Sequence, residues 1–179
     1  MSNLLTWRSA IKGDRGALDT FTCTCDPVSN IATRWKRVHP RFWELEVQSA
    51  IRGLRLPCLF PKQMLVGLDQ QGIAAVSYYE ELDGPARVEL GLMAVAIRLR
   101  NQGGGYADEM FRVTLEEIEA RAIDQGHYEV EVAGYVWHEN HPSQRMCRQA
   151  DFQHTDNAAP GVQVWTARIP VGEPGSEPS

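Results

Sequence analysis

Two common signals are missing from the sequence of 179 residues: a C-x-x-C pair and a long apolar run. Its longest apolar stretch is far below the roughly 20 residues that a membrane-spanning helix needs. The four cysteines therefore form neither a zinc ribbon nor a thioredoxin-type motif, and we expect reduced, partly buried thiols. Because the five histidines also lack metal-ligand spacing, we expect no bound metal. The first residues do not have the pattern of a signal peptide, so we expect a cytoplasmic protein without membrane contact.

An excess of basic residues is also missing. The sequence has 18 Lys and Arg and 23 Asp and Glu, which gives a net charge of −5. A general nucleic-acid binder usually carries a basic stripe, so we expect no nucleic-acid partner. The acidic balance is compatible with a cationic or amine substrate, although solubility alone explains it equally well. The hydrophobic content of 43% is enough for the core of one ordinary domain.

The pattern of apolar residues and turns predicts one α/β domain over residues 1–170, followed by a flexible Pro/Gly/Ser/Glu-rich tail over 171–179. The predicted order is β-α-α-β-β-β-α-β-α-β. A central antiparallel meander is followed by a strand-helix-strand crossover, which requires at least one parallel pair. Asp14 is predicted to cap the first helix. Residues 26–43 are predicted to be irregular, and they carry basic and aromatic side chains that include Trp35 and Trp43.

The strongest predicted helix follows three consecutive glycines, Gly103 to Gly105, and runs from Tyr106 to a stop at Gly126. Three glycines lose much backbone entropy on folding and therefore call for a reason. The sequence has no Walker pattern, and Asp108 occupies the position of the third small residue of a dinucleotide fingerprint. A helix N-terminus that a diphosphate can approach closely remains as an explanation, beside a purely structural turn.

Arg100, Gly103 and Gly105 form R-x-x-G-x-G between a strand and this helix. The pattern resembles the acyl-CoA pyrophosphate loop of the GNAT N-acetyltransferase superfamily. The later segment "NHPSQRMCRQADF" resembles the family's motif N-x-x-A-x-x-L-Y-x-x-x-G-F, and the element order is similar over residues 4–169. The resemblance implies a single-domain α/β fold with a mixed sheet, in which an antiparallel meander and a parallel pair with splayed strands are flanked by helices. It also implies acetyl-CoA as co-substrate.

The resemblance further implies a set of residues that bind coenzyme A. The backbone around Met93, Ala94 and Val95 would pair with the pantetheine arm. The phosphates would meet Arg100 or Arg98 and the main-chain amides of Asn101, Gln102, Gly103, Gly104, Gly105 and Tyr106. Asn140 would bond pantetheine or backbone amides, or cap the helix that follows it; both roles are compatible.

Glu89 is the first candidate for the general base that accepts a proton from the attacking amine. It is the only acidic residue in "RVELGLMAV" and stands eleven positions before Arg100, a spacing similar to that of the strand glutamate in the histone-acetylating branch. An exposed surface position is the alternative, and Glu80 and Glu81 are competing carboxylates. Where many family members have a tyrosine as general acid, this chain has Cys147. That thiol is either a proton donor or a buried filler, and Tyr106 is an alternative hydroxyl or part of the helix core.

These features predict an acyl-CoA-dependent N-acyltransferase that transfers acetyl to a primary amine by direct attack in a ternary complex. The acceptor is an amine-bearing small molecule or a peptide, which the sequence does not distinguish, and a homodimer is one expected assembly. A non-catalytic acyl-CoA-binding regulatory module is the alternative, because the usual tyrosine is missing.

Overall fold

The computed structural model describes residues 4–25, 41–82, 86–100 and 102–172. Their centre is a seven-stranded mixed sheet with the strand order β1-β2-β3-β4-β5-β7-β6. The strands are β1 (Thr6–Ser9), β2 (Lys62–Asp69), β3 (Gly72–Leu82), β4 (Arg87–Val95), β5 (Glu129–Trp137), β6 (Gln153–Ala159) and β7 (Val162–Pro170). The helices of the described part are α1 (Arg15–Asp19), α2 (Phe42–Gly53), α3 (Tyr106–Asp124) and α4 (His141–Gln149).

The predicted parallel pair is confirmed as β4 and β5, which α3 connects. Their ladder joins Arg87–Leu90 to Glu131–Gly134, with Glu89 opposite Ala133. A crossover helix is needed here because two parallel neighbours begin at the same end of the sheet. β7 pairs antiparallel with β5 on one side and with β6 on the other.

The sequence analysis missed strand β6. All seven of its residues are exposed, and its sequence QHTDNAA has no alternation of apolar and polar side chains. Alternation marks a strand only when one face is buried. β6 is instead an edge strand held by backbone pairing to β7, with two register shifts along its length.

The chain divides into two compact units. The first unit comprises Met1–Leu59, Met64–Ser77 and Leu92–Met110. A buried cluster of Leu5, Ala74, Ala75 and Met110 lies in its core. The partly buried side chains packed against this cluster are Trp7, Met93, Val95, Leu99 and Tyr106. The end of β4 and the beginning of α3 are therefore fixed by the same apolar contacts.

The second unit comprises Phe60–Gln63, Tyr78–Gly91 and Phe111–Ser179. The buried residues of β5 are Val130, Val132, Gly134 and Val136, which alternate with half-buried or exposed neighbours. Phe111 and Phe152 pack with ring centroids 5.4 Å apart. Val171, the first residue of the predicted tail, is buried, and its N–H donates to the carbonyl of Tyr128. Residues 173–179 lie outside the described residues.

The buried face of α3 contains two polar residues that the apolar pattern did not predict, Glu109 and Thr114. The carboxylate of Glu109 accepts hydrogen bonds from the backbone N–H groups of Leu4 and Leu5, at 2.8 and 3.1 Å, and from Trp7 Nε1 at 2.8 Å. A buried carboxylate is tolerated when such donors replace water. Glu109 thus fastens the start of the described chain to α3.

The prediction that the side chain of Asp14 caps the first helix is wrong, although the residue lies at the predicted position. Asp14 stands at the N-cap position of α1, but its side chain makes no cap hydrogen bond. Its two carboxylate oxygens bind the Arg8 guanidinium, each at 2.7 Å, and one also accepts from the N–H of Ile11. The hydrogen bond from Arg8 is the main reason that the pKa of Asp14 is lowered.

No helix in the described ranges is both long and apolar enough to cross a membrane.

The Glu109 contacts predict a large effect of Glu109→Gln on stability. The amide has one acceptor oxygen instead of two, so buried donors lose their partner at a cost of about 1–3 kcal/mol. The exposed pair between Arg112 and Glu116 on the same helix supplies the control, and we expect Glu116→Gln to change stability by about 0.5 kcal/mol or less. Urea unfolding with an unchanged m-value measures both. Equal midpoints for the two variants would contradict the account.

Candidate functional site

The loop between β4 and α3 explains why three glycines occur together. Gly103 and Gly105 have φ values of +68° and +69°, in the left-handed region that L side chains rarely adopt. Gly104 has a different reason, because a Cβ at this position would lie 2.3 Å from Cε2 of the Tyr106 ring. The chain therefore turns tightly from the strand into the helix while the ring of Tyr106 packs against its backbone.

This turn leaves a row of main-chain donors open at the head of α3. The first helical bond next to the loop runs from the N–H of Glu109 to the carbonyl of Gly105, at 2.9 Å. Among the residues that the structure describes, the amides of residues 102–108 donate no hydrogen bond. The loop amides predicted to bind diphosphate are therefore available, apart from that of Asn101, which lies outside the described residues. Unpaired amides and the positive end of the helix dipole favour an anion.

Both arginines predicted near the phosphates form ion pairs with carboxylates in the first unit. Arg100 Nη1 lies 2.7 Å from Glu44 Oε1, and Arg98 Nη2 lies 2.8 Å from Asp69 Oδ1. Each guanidinium is about 30% exposed. The charge of each arginine is thus paired with a carboxylate inside the protein.

One side of α2 presents a polar stripe that sequence reasoning did not find. Glu44, Gln48 and Arg52 follow one another at helical spacing, and all three bind the segment 21–24. Glu44 Oε2 accepts from Thr24 Oγ1 at 2.8 Å, and Gln48 Oε1 accepts from the N–H of Cys23 at 2.8 Å. Arg52 Nε donates to the carbonyl of Phe21 at 2.9 Å. From the sequence alone, polar residues at helical spacing indicate a solvated helix face, because their partners are distant in the sequence.

Met93, Ala94 and Val95, predicted to pair with the pantetheine arm, form the end of β4. Ala94 is buried, and the side chains of Met93 and Val95 pack against the core of the first unit. The N–H of Ala96 donates to the carbonyl of Ala74 at 2.7 Å, so β4 stays attached to β3 up to the turn. The loop and the two arginines belong to this same unit.

Glu89, the candidate base, belongs to the second unit and has one partner that the sequence analysis did not anticipate. The hydroxyl of Tyr135 on β5 lies 3.4 Å from Glu89 Oε2. The ladder explains the contact, because Glu89 stands opposite Ala133, two residues before Tyr135, and residues two apart share a face. Because the side chain of Ala133 is small, the Tyr135 ring can extend over it toward Glu89.

The competing carboxylate Glu81 has a structural role. Its oxygens accept from Arg121 Nε at 2.6 Å and Gln125 Nε2 at 2.8 Å, and its side chain is only 12% exposed. Both carboxylate oxygens of Glu81 are therefore engaged by side chains of α3. Glu80 is half-buried.

Asn140 and Cys147 lie at the two ends of α4 in the second unit. Asn140 is the N-cap residue, and its side chain accepts from the N–H of Ser143, so the capping interpretation is confirmed. Cys147 is buried, and burial raises the pKa of its thiol to about 11. These properties favour the filler interpretation over a proton donor. Tyr106 packs in the core of the first unit, which likewise favours its structural interpretation.

The four cysteines have free thiols, and Cys23 is also buried with a pKa raised by burial to about 11. Within the described ranges, no three or more His, Cys, Asp or Glu side chains are grouped so that they could hold a metal ion.

Comparison with solved structures identifies the fold. The PaiA N-acetyltransferase of Thermoplasma acidophilum, in complex with coenzyme A, matches 94% of this chain and 100% of its own, with a TM-score of 0.62 and 10% identity. The ribosomal-protein-S18-alanine N-acetyltransferase of Escherichia coli matches 98% of this chain and 99% of its own, with a TM-score of 0.59 and 13% identity. The spermidine/spermine N-acetyltransferase SpeG of Vibrio cholerae, in mutant forms, matches 92% and 94%, with a TM-score of 0.58 and 14% identity. No family model and no curated protein sequence matches the chain.

The chain thus has the fold of the GNAT N-acetyltransferases. At 10–14% identity the likeness is one of fold, and the function has to be argued from the residues of this chain.

The positive φ of Gly105 predicts that Gly105→Ala destabilises the protein by about 1 kcal/mol or more, because an L side chain is strained in this conformation. Gly16 in α1 is the matched control. A Cβ there meets nothing within 4 Å, so Gly16→Ala should leave stability unchanged or raise it by up to about 1 kcal/mol. Thermal unfolding of the two variants measures the difference. A Gly105→Ala protein as stable as the parent would show that the loop does not need this backbone conformation.

Proposed function

We propose that the protein is an acyl-CoA-dependent N-acyltransferase that transfers an acetyl group from acetyl-CoA to a primary amine. The observation that carries the proposal is the row of open amides at residues 102–108, at the head of a long helix and behind two left-handed glycines. Any α-helix leaves the N–H groups of its first turn unpaired, but here the open row also includes residues 102–105, which precede the helix. The fold shared with the coenzyme A complex of PaiA supports the same interpretation.

The diphosphate of coenzyme A fits the chemistry of this loop. Main-chain N–H groups are neutral donors that hold phosphate oxygens without long side chains, and the helix dipole adds a favourable field. Arg98 pairs with Asp69 and Arg100 pairs with Glu44. The carboxylates balance the charges of these arginines, which then support the loop rather than provide free positive charge. We therefore expect coenzyme A affinity to depend only moderately on ionic strength.

Glu89 is proposed as the base. The thioester supplies the acyl group, and the amine must lose a proton as its nitrogen bonds to the carbonyl carbon. Glu89 is half-buried on β4, and Oε1 has no partner among the described residues. A carboxylate with one oxygen held and the other open can accept a proton at a defined place.

The departing thiolate does not need Cys147. A thiol has an ordinary pKa of about 8.5, so a coenzyme A thiolate can leave near neutral pH and take its proton from water. Burial of Cys147 and its raised pKa of about 11 argue against a proton transfer through this residue. The same burial favours the second candidate function, a non-catalytic acyl-CoA-binding module that lacks a dedicated acid.

The acceptor is proposed to be an amine on a small molecule or a peptide. The names of the structural neighbours include a polyamine acetyltransferase and an enzyme for a ribosomal-protein alanine, so the fold accommodates both kinds of acceptor. Residues 26–40 of the basic and aromatic segment, including Trp35, lie outside the described residues, whereas Trp43 is part of α2.

Ligand binding should appear as thermal stabilisation. Acetyl-CoA at 100 times its Kd is expected to stabilise the fold by roughly 2.7 kcal/mol. Acetyl-pantetheine, which has the thioester but no diphosphate, is the matched control and should stabilise far less at equal concentration. Equal shifts for the two ligands, or none, would contradict binding through the loop amides. Release of free thiol with a panel of polyamines, amino acids and peptides then separates the two candidates, because tight binding without turnover favours the module.

Replacing Glu89 by Gln should lower kcat by about 100-fold, the lower end of what general bases contribute, while the Kd for coenzyme A stays the same. The plateau that the rate reaches at high pH should be lower in the variant than in the parent. Glu80→Gln is the control on the neighbouring strand and should keep the parental profile. A Glu89→Gln protein with an unchanged rate at every pH would show that another group is the base.

A further inference from the structure

The odd-numbered side chains of β4 and β5 form a polar row on one face of the sheet. Arg87 stands opposite Glu131 in the parallel ladder, and Glu89 stands opposite Ala133. The side chain of Tyr135 follows two residues after Ala133 on the same face. The even-numbered residues on the other face are buried, as Val88, Leu90 and Val132 show. The row is therefore the accessible face of this strand pair.

Arg87 and Glu131 are paired in the row, whereas Glu89 and the exposed Glu129 form no ion pair among the described residues. Glu131 receives Arg87 Nε at 3.1 Å and Arg168 Nε, from β7, at 3.8 Å. Glu89 has no cationic partner within the part of the chain that the structure describes. Its contact is the hydroxyl of Tyr135, which reaches Oε2 at 3.4 Å. Glu89 thus contacts the phenol of Tyr135, whereas Arg87 and Arg168 both pair with Glu131.

The ladder between β4 and β5 ends at Leu90 and Gly134, so Tyr135 is the first residue of β5 beyond it. The next odd-numbered position of β4 is Gly91, and the ring of Tyr78 covers it, because a Cβ there would lie 2.8 Å from Tyr78 Cδ1. The ring of Tyr135 is 48% exposed. Long, weak hydrogen bonds of this kind commonly tighten when a ligand excludes water.

The hydroxyl remains a donor through the neutral range. Burial and then the charge of Glu89 raise the pKa of Tyr135 above its ordinary value, whereas the charge of Arg87 lowers it to a smaller extent. A protonated phenol beside an ionised carboxylate is the arrangement in which the O–H points at the acid.

We propose that Tyr135 is a positioning residue for Glu89. Its hydroxyl holds Oε2 and leaves Oε1 to take the proton of the acceptor amine, an inference that rests on the proposed function. The amine nitrogen forms its bond to the acyl carbon, the carbon–sulfur bond breaks, and the electron pair leaves on the coenzyme A sulfur. The amine proton passes to Glu89 Oε1 and then to solvent, so Tyr135 itself neither gains nor loses a proton over the cycle.

The test is Tyr135→Phe, which removes one oxygen and keeps the ring. With acetyl-CoA and an amine found in the acceptor panel, kcat/KM for the amine should fall about tenfold, in line with the loss of a hydrogen bond to a charged group. Its pH profile should also differ from that of the parent, because the hydrogen bond between Tyr135 and Glu89 is lost. The Kd for coenzyme A should not change.

Tyr128→Phe is the matched control. Tyr128 immediately precedes β5 and is 65% exposed, and its kinetics should equal those of the parent. The double variant Glu89→Gln/Tyr135→Phe closes a cycle, in which the second change should have no further effect once Glu89 is replaced. A merely structural role for Tyr135 would give additive losses and an unmoved pH profile.

A second measurement needs no turnover. The ionisation of Tyr135 can be followed by ultraviolet difference spectroscopy, as the titration with Tyr135 present minus the titration of the matching Tyr135→Phe variant. Because the charge of Glu89 raises the pKa of Tyr135, Tyr135 should ionise at lower pH when Glu89 is replaced by Gln. If the parent turns over and Tyr135→Phe matches it at every pH, the inference is overturned and the proposed function stands. If no amine is acetylated, the proposed function fails, and the positioning role of Tyr135 fails with it. A titration that Glu89→Gln leaves unchanged would overturn the contact itself.

Discussion

The main constraint on this molecule is the way the chain passes from β4 into α3. The parallel pairing of β4 with β5 requires a crossover helix, and the loop before that helix has to reverse direction within a few residues. Two left-handed glycines accomplish the turn, and a third admits the ring of Tyr106. In this conformation the amides of residues 102–108 donate to no group in the described part of the chain, and such amides at the head of a helix favour an anion.

The side chains around this loop stabilise it rather than supply free charge. Arg100 is held by Glu44 at the beginning of α2, and Glu44 also takes the hydroxyl of Thr24. Since the N–H of Ile97 donates to the carbonyl of Thr22, the segment before the loop is tied to the same polar network. A half-buried ion pair contributes more to geometry than to net stability. The loop therefore combines an open backbone with arginines whose positions are fixed by carboxylates.

Much of the fold followed from the sequence, because the meander, the long helix and β5 have buried faces with regular apolar spacing. β3, over Gly72–Leu82, is one of the strands of the predicted meander. The pattern failed where stability comes from partners distant in sequence. β6 has no buried face, and Glu109 is buried because three donors from the beginning of the chain converge on it. In the candidate site the glycine loop before the long helix followed from the sequence, and the roles of the loop and of Glu89 stay predictions. The contact between Glu89 and Tyr135 depends on a strand register that no local pattern specifies.

The measurement that tests the central claim most directly is a titration of ¹⁵N-labelled protein with coenzyme A, followed through the amide resonances of Gly103, Gly104 and Gly105. Adenosine 3′,5′-bisphosphate, which lacks the diphosphate bridge to pantetheine, and pantetheine alone serve as comparison ligands. If the open amides bind the diphosphate, coenzyme A should move these three resonances downfield, by more than either fragment does. If coenzyme A binds and these resonances stay in place, the loop is only a turn and the account is wrong.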